Sequence, residues 1–368
     1  MISSISQSKP NPTSNSLSSE IDLILQCASS RAEDRNRHQI ELLLQSEINW
    51  SYVLEMCTRH KMLSLVYFNL NKIASPKIPE NVRAILVRFY QLNLQKNLLL
   101  TSELLKVLHL LKAHKIAAIP LKGVVLASHA YSNFGLRTIG DIDIVVQESD
   151  FPKAEELLVQ YGYKPHPNNH AEDIRQAQYK KPNTLLCIDL HYAFSPKNHF
   201  ISVDSVLFWD NLRTISVANQ EISIFTPEYM VIYLCLEGAK EHWRTLNRIC
   251  DLSELIVAHD LDWTKLLQAA KNIERQIIVY LGLYLAHTLL NMPIPEHVWL
   301  EIESALKIKP SKQDLCNFLF RADFDVLLAL QWHSFNLQGL KSLSHQIKYW
   351  RWVAGVNFKT RFPYSVKK

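Results

Sequence analysis

Glycine is scarce in this chain, at 8 of 368 residues, about 2% where roughly 7% is usual. None of the eight falls in G-x-G-x-x-G. The one G-x-x-x-x-G, Gly135 to Gly140, is followed by Asp141 where a P-loop carries lysine. Dinucleotide-binding and Walker-type readings thereby lose their main support, and a helix-rich protein is favoured. The six cysteines form no C-x-x-C pair and mostly sit among apolar neighbours, which argues against zinc ribbons and disulfide frameworks and for reduced, buried thiols in a cytoplasmic protein. Long apolar runs are also lacking. The longest, Ile277 to Ala286, has ten residues where a bilayer span needs nearer 20, so it reads as a buried helix. The first twenty residues hold eight serines and no apolar core, a flexible leader rather than a signal peptide. After Asp325 no acidic residue occurs, and seven Lys or Arg follow among aromatic residues. With a whole-chain charge of +5, the remainder is slightly acidic. Such a tail can attract phosphate-rich partners, although solubility alone is reason enough for it.

What is present is ordinary globular material, 48% hydrophobic and 20% charged, in a length that allows two or three domains. Residues 1–20 form the leader. Residues 21–115 carry apolar side chains at helical spacing, with one long helix or two between about Asn81 and His114. The texture changes at Ile116. Residues 116–121 read as a short buried strand, Lys122-Gly123 as its turn, and Val124 to Tyr131 as a helix. A polar loop to Gly140 leads into a strand from Asp141 to Val146. The next helix carries Pro152 in its first turn and stops before Gly162. Further strands are expected at 176–180, 184–190, 212–217 and 221–225. Helical periodicity resumes at Thr226-Pro227-Glu228 and runs to about Leu343, leaving 344–368 as the basic aromatic tail. The expected architecture is α+β, with a mixed sheet and helices over 116–225 set between helical regions 21–115 and 226–343.

Chemistry concentrates in GDIDIVV. Residues two apart on a strand share a face, so Asp141 and Asp143 point together. Two charges about 4 Å apart at an effective dielectric near 20 repel by about 4 kcal/mol, enough to raise one pKa or to recruit a cation. Mg²⁺ or Mn²⁺ suits such oxygen ligands. In CIDLHY, alternation places Cys187, Asp189 and His191 on one face, and pairing of this strand with the Asp141 strand would make Asp189 a third carboxylate. A site of that kind aligns an attacking oxygen with a nucleotide phosphate. Lys122-Gly123, at a strand-to-helix turn, offers close backbone approach and a point charge for phosphate. Arg137 either clamps phosphate or pairs with Asp141. A haloacid-dehalogenase-type site is excluded because the apolar run follows the first Asp instead of preceding it. A sugar-nucleotide glycosyltransferase is disfavoured by the helical character upstream.

The run from Leu121 to Tyr163, LKGVVLASHAYSNFGLRTIGDIDIVVQESDFPKAEELLVQYGY, followed by CIDLHY, resembles the nucleotidyltransferase superfamily. More narrowly, it is similar to a bacterial group with a Lys-Gly turn, an arginine shortly before D-x-D, and a later Asp-Leu-His. The resemblance extends over roughly residues 100–300, through LEGAKEHWRTLNRICDLSELI. It implies Asp141, Asp143 and Asp189 as catalytic carboxylates and metal ligands, Lys122-Gly123 as the phosphate turn, and an NTP as donor. Lys122-Gly123 departs from the Gly-Ser usual in the wider superfamily. Toxin-type relatives leave RNA, a protein or a small molecule as acceptor. In the helical block, Lys240, His242 and Arg248 are available to a nucleotide, or serve structurally, with His242 and Asp251 expected to pair at the lobe interface. His166 and His170 have ligand-like spacing only on a helix, which Pro167 opposes. A non-catalytic adaptor of the same fold, holding a partner through its helical flanks and tail, is the alternative function.

Overall fold

A computed structural model describes residues 17–31, 34–73, 75–167, 176–194 and 206–320, together with most of 333–350. The leader up to residue 16, the tail beyond 350 and His170 lie outside the described residues. Five helices come first: α1 (Ser19–Gln26), α2 (Asp34–Leu43), α3 (Trp50–Arg59), α4 (Leu63–Asn71) and α5 (Glu80–Ala113). The sheet region follows as β1 (Ala118–Pro120), α6 (Gly123–His129), β2 (Ile142–Val146), α7 (Phe151–Gln160), β3 (Lys164–Pro165), β4 (Gln176–Lys180), β5 (Cys187–His191), the short α8 (Val206–Trp209), β6 (Leu212–Val217) and β7 (Gln220–Phe225). Helices α9 (Pro227–Lys240), α10 (Leu246–Ala258), α11 (Trp263–Asn272), α12 (Gln276–Leu290), α13 (Glu296–Ala305) and α14 (Lys312–Phe320) complete the order. The architecture is α+β, a mixed sheet between helical flanks, as the sequence pattern predicts. Among the described residues no helix is long and apolar enough to cross a membrane.

The main sheet has the order β1-β2-β5-β4-β3. Strand β2 runs parallel to β5 and antiparallel to β1, while β4 is antiparallel to both β5 and β3. Every residue of β2 is buried, so the strand is covered on both faces, which explains the near-continuous apolar run Ile142-Asp-Ile-Val-Val with one charged interruption. Strands β6 and β7 do not extend this sheet. They form a separate hairpin, a division that alternation alone does not announce. Strand β3, two exposed residues long, is too short for a periodic signal.

The stretch from 80 to 113 is one helix of 34 residues, roughly 50 Å long at 1.5 Å per residue. Its buried amides organise the loop that enters β2. Asn93 Nδ2 donates to the Gly135 and Arg137 carbonyls at 2.8 and 3.0 Å, and Asn97 Nδ2 to those of Phe134 and Arg137 at 2.7 and 2.8 Å. Buried backbone oxygens in an irregular segment need such partners. Gly135 permits the close approach, since a Cβ there would stand 2.7 Å from the Tyr90 ring.

The C-terminal helices pack round α9, which is buried from Glu228 to Ala239. His242 and Trp243 both adopt left-handed backbone, φ 54° and 49°, and turn the chain from α9 towards α10. Trp243 is fully buried and wedges between two glycines: a Cβ on Gly238 would meet its ring at 2.4 Å, and one on Gly282 would meet Cys235 Sγ at 2.6 Å and the same ring at 3.0 Å. A rigid, enclosed indole cannot yield as a flexible side chain does, so Gly238→Ala should destabilise the protein by about 1–3 kcal/mol through overpacking despite alanine's better helix propensity. Urea denaturation checks this, and an unchanged or raised midpoint would show that the indole can move aside.

Candidate active site

Parallel pairing of β2 with β5 sets Asp143 opposite Asp189 in register. Side chains of register partners lie on the same face of neighbouring strands about 4.8 Å apart. His191, two residues beyond Asp189, shares that face. One ligand atom from each of Asp143, Asp189 and His191 lies within 4.8 Å of the others. Asp143 is 6% exposed, and its Oδ2 has no hydrogen-bond partner among the described residues. His191 Nε2 lies 3.4 Å from the other oxygen, Asp143 Oδ1. Gln178 Nε2 on β4 donates to Asp189 Oδ1 at 2.9 Å and holds that carboxylate in place.

An unsatisfied buried carboxylate oxygen costs about 1–3 kcal/mol or more when charged, and Asp143 Oδ2 is such an oxygen, chemically suited to a donor or a cation. Two carboxylates and an imidazole with overlapping reach fit a divalent ion. Asp141 is not one of this trio, although it lies in electrostatic range of its two carboxylates. Burial, then Asp143 and Asp189, raise its pKa, with Lys122 and Lys61 opposing. Burial likewise raises Asp189, against the pull of its Gln178 hydrogen bond. Burial would raise Asp143 as well, but Lys122 and His191 outweigh it and hold that carboxyl low. The site thus contains one carboxylate fixed in its charged form and two that keep their protons to higher pH, the division that burial and like charge impose on acids sharing a site.

Lys122 closes the site from the β1–α6 turn. Its ammonium lies 3.4 Å from Asp143 Oδ1 and 2.9 Å from Glu237 Oε2 on α9. Glu237 also pairs with Lys240, one turn further along the helix. Although burial disfavours a charged lysine, Glu237 first and then Tyr233 and Asp143 push the Lys122 pKa well up, so it is an ammonium at any ordinary pH. Gly123 follows with φ +45°. That left-handed conformation is where glycine avoids the strain of a side chain, and the backbone there stands close to the Asp141 carbonyl.

Arg137 takes a different place from either expectation. Its guanidinium forms a two-pronged bond to Asp251 on α10, Nε to Oδ1 and Nη2 to Oδ2, both at 2.8 Å. It is buried and makes no ion pair with Asp141 among the described residues. Tyr131 Oη donates to the same Asp251 at 2.8 Å. The expected His242–Asp251 pair is therefore replaced. His242 instead packs edge-on against Tyr349, and Arg248 reaches Glu241 at 3.6 Å. The structure clusters Asp143 with Asp189 and His191 and sets Lys122 against Asp143 and Glu237, while the expected third carboxylate, Asp141, stays outside the cluster in electrostatic range of Asp143, Asp189 and Lys122. His191 was visible in sequence as the alternation partner of Asp189. Glu237 had only its i,i+3 relation to Lys240 as a signal.

A carboxylate pair on adjacent parallel strands, beside a lysine-bearing strand-to-helix turn, is a site of nucleotidyltransferase type. The profile of a family described as uncharacterised nucleotidyltransferases matches residues 46–291, and the chain belongs to that family. Among solved structures, it is similar to an antigenic nucleotidyltransferase-like protein from Paracoccidioides brasiliensis, at 13% identity over 56% of this chain and 95% of that one, with a TM-score of 0.33. Comparison with curated proteins gave no match.

Proposed function

We propose that this chain is a metal-dependent nucleotidyltransferase that moves a nucleoside monophosphate from an NTP to a hydroxyl acceptor. The observation that carries the reading is the register pairing of Asp143 with Asp189, with a buried Asp143 oxygen left unpartnered. Asp143, Asp189 and His191, with Asp141 alongside, would hold Mg²⁺ or Mn²⁺. Bound there, the ion would neutralise phosphate charge and polarise the reacting oxygens. In the transfer, the acceptor oxygen forms a bond to the α-phosphorus as the α–β bridging P–O bond breaks, and pyrophosphate departs with the bonding electrons. Asp189, whose pKa is raised by burial, would also take the hydroxyl proton. Lys122, kept charged by Glu237, offers its ammonium to the phosphates, and Gly123 lets them approach the backbone. Glu237 is thus a positioning residue that acts through Lys122.

The acceptor is RNA, a protein or a small molecule. The test incubates the full chain with each labelled NTP, Mg²⁺ or Mn²⁺ and a cell extract. Metal-dependent transfer of label, lost on Asp143→Asn, is the expected result. Absence of any metal-dependent NTP binding overturns the reading and favours the non-catalytic adaptor.

A further inference from the structure

The sequence pattern predicts three carboxylates at the site, and the structure gathers two carboxylates and an imidazole. His191 closes β5, on the same face as Asp189 two residues earlier. The register partner of Asp189 on β2 is Asp143, and that of His191 is Val145. Val145 is apolar and fully buried, so the imidazole finds nothing polar directly opposite on β2. Its Nε2 comes instead within 3.4 Å of Asp143 Oδ1. Both residues are less than a tenth exposed, Asp143 at 6% and His191 at 7%. Each carries a buried polar atom with no hydrogen-bond partner among the described residues, Oδ2 on Asp143 and Nε2 on His191. Burying one such atom is costly. Here two of opposite strands belong to one cluster.

The other carboxylate oxygens are supplied differently. Lys122 Nζ lies 3.4 Å from Asp143 Oδ1, and the Gln178 amide donates to Asp189 Oδ1 at 2.9 Å. A protonated imidazole would answer Asp143 Oδ1 a second time and leave Oδ2 unpaired. An imidazole whose proton sits on Nδ1 offers Nε2 as a lone pair, and a cation bound to that nitrogen and to Oδ2 serves both orphaned atoms together. The donor type then decides which ion is held. Mg²⁺ takes oxygen ligands, demands near-ideal octahedral geometry and gives up water reluctantly. Imidazole nitrogen suits first-row transition ions, and within that series Mn²⁺ is the one that also favours carboxylates.

We propose that His191 binds the site's cation through Nε2, and that this nitrogen makes the site select Mn²⁺ over Mg²⁺. The inference rests on the metal-dependent reading above and narrows its cation. The test is pulsed paramagnetic resonance of Mn²⁺ bound to the untagged full chain, with affinity measured by titration and by competition with Mg²⁺. Echo modulation from a directly bound ¹⁴N nucleus is expected, and it should change to the ¹⁵N pattern in protein grown with ¹⁵N-histidine. Displacing half of the Mn²⁺ should need at least about a tenfold excess of Mg²⁺. In His191→Asn the nitrogen modulation should disappear, and Mn²⁺ affinity should fall by at least the roughly 10- to 100-fold that loss of an outer-shell partner costs. His191→Asp offers a third carboxylate in place of the imidazole, so it should bind Mn²⁺ without the nitrogen signal and with a smaller preference over Mg²⁺. If neither variant folds, the ¹⁵N-histidine comparison still decides, because His191 is the histidine of this group. Bound Mn²⁺ without nitrogen modulation, or modulation that persists in His191→Asn, overturns the His191 assignment and leaves the metal-dependent reading standing. Equal competition by Mg²⁺ overturns the selectivity. If the parent protein binds no Mn²⁺ with or without an NTP, the metal-dependent reading falls as well.

Discussion

Asp143→Asn should abolish detectable Mn²⁺ binding and lower nucleotidyl transfer by about three orders of magnitude, on the scale of losing a main electrostatic stabiliser from a buried reaction centre. The substitution keeps the volume of the side chain. It replaces a carboxylate by an amide whose NH₂ would face either Lys122, 3.4 Å away, or His191. Stability should change much less than activity, because Lys122 retains Glu237 at 2.9 Å. The parent protein should also show a characteristic pH dependence. Metal ligands bind deprotonated, and burial raises the pKa of Asp141 and Asp189. Metal affinity should therefore rise with pH and begin to fall, on acidification, at a higher pH than ordinary carboxylates would give. Mn²⁺ titration followed by paramagnetic resonance measures both effects. Metal binding that survives in Asp143→Asn would remove this carboxylate from the site.

Much of the arrangement was legible in sequence because strand geometry is local. Alternation put Asp189 with His191, which cluster with Asp143, and the Lys-Gly step marked the strand-to-helix turn, whereas Asp141, expected on the same face as Asp143, precedes the strand and lies outside the cluster. Strands with a clear period, such as 176–180 and 212–217, fell where the pattern placed them. Partner choice between distant elements is another matter. Nothing along the chain distinguishes an arginine that faces phosphate from one that faces Asp251, 114 residues away, since both need a charged group beside a buried one. Glu237 had the same ambiguity, being one polar residue on an otherwise buried helix. The docking of His60 and Met62 on α10 carried no signal at all, since these contacts span 186 and 188 residues. The division of the strands into a five-stranded sheet and a separate hairpin was hidden for a related reason, because period-two patterning names a strand without naming its neighbours.

Arg137→Met should cost about 3–5 kcal/mol of stability, the usual penalty for removing one member of a buried ion pair and leaving the other charged. Asp251 is 3% exposed, and after the substitution its remaining side-chain hydrogen-bond donor among the described residues would be the Tyr131 hydroxyl. The converse change, Asp251→Leu, strands a guanidinium that burial opposes and Asp251 at present holds firmly charged. The double variant Arg137→Met with Asp251→Leu removes both charges and should be less destabilised than either single one. A residual cost is expected because Tyr131 Oη loses its acceptor. Denaturant midpoints of the four proteins form a double-mutant cycle that measures the coupling. Single substitutions costing under about 1 kcal/mol would place the pair in the weak class of exposed salt bridges. The location of the pair gives this test a bearing on function. Arg137 sits on the loop that α5 holds through Asn93 and Asn97, four residues ahead of Asp141, and its Nη1 also lies 3.5 Å from the Gly123 carbonyl. One side chain therefore ties the Lys122-Gly123 turn and the entrance of β2 to α10. Activity of the double variant, once its stability has recovered, separates the two roles of the residue. A folded protein with weakened transfer means that the charged fork sets the spacing between the carboxylates and the Lys122 turn. Full activity means that packing alone suffices to set it.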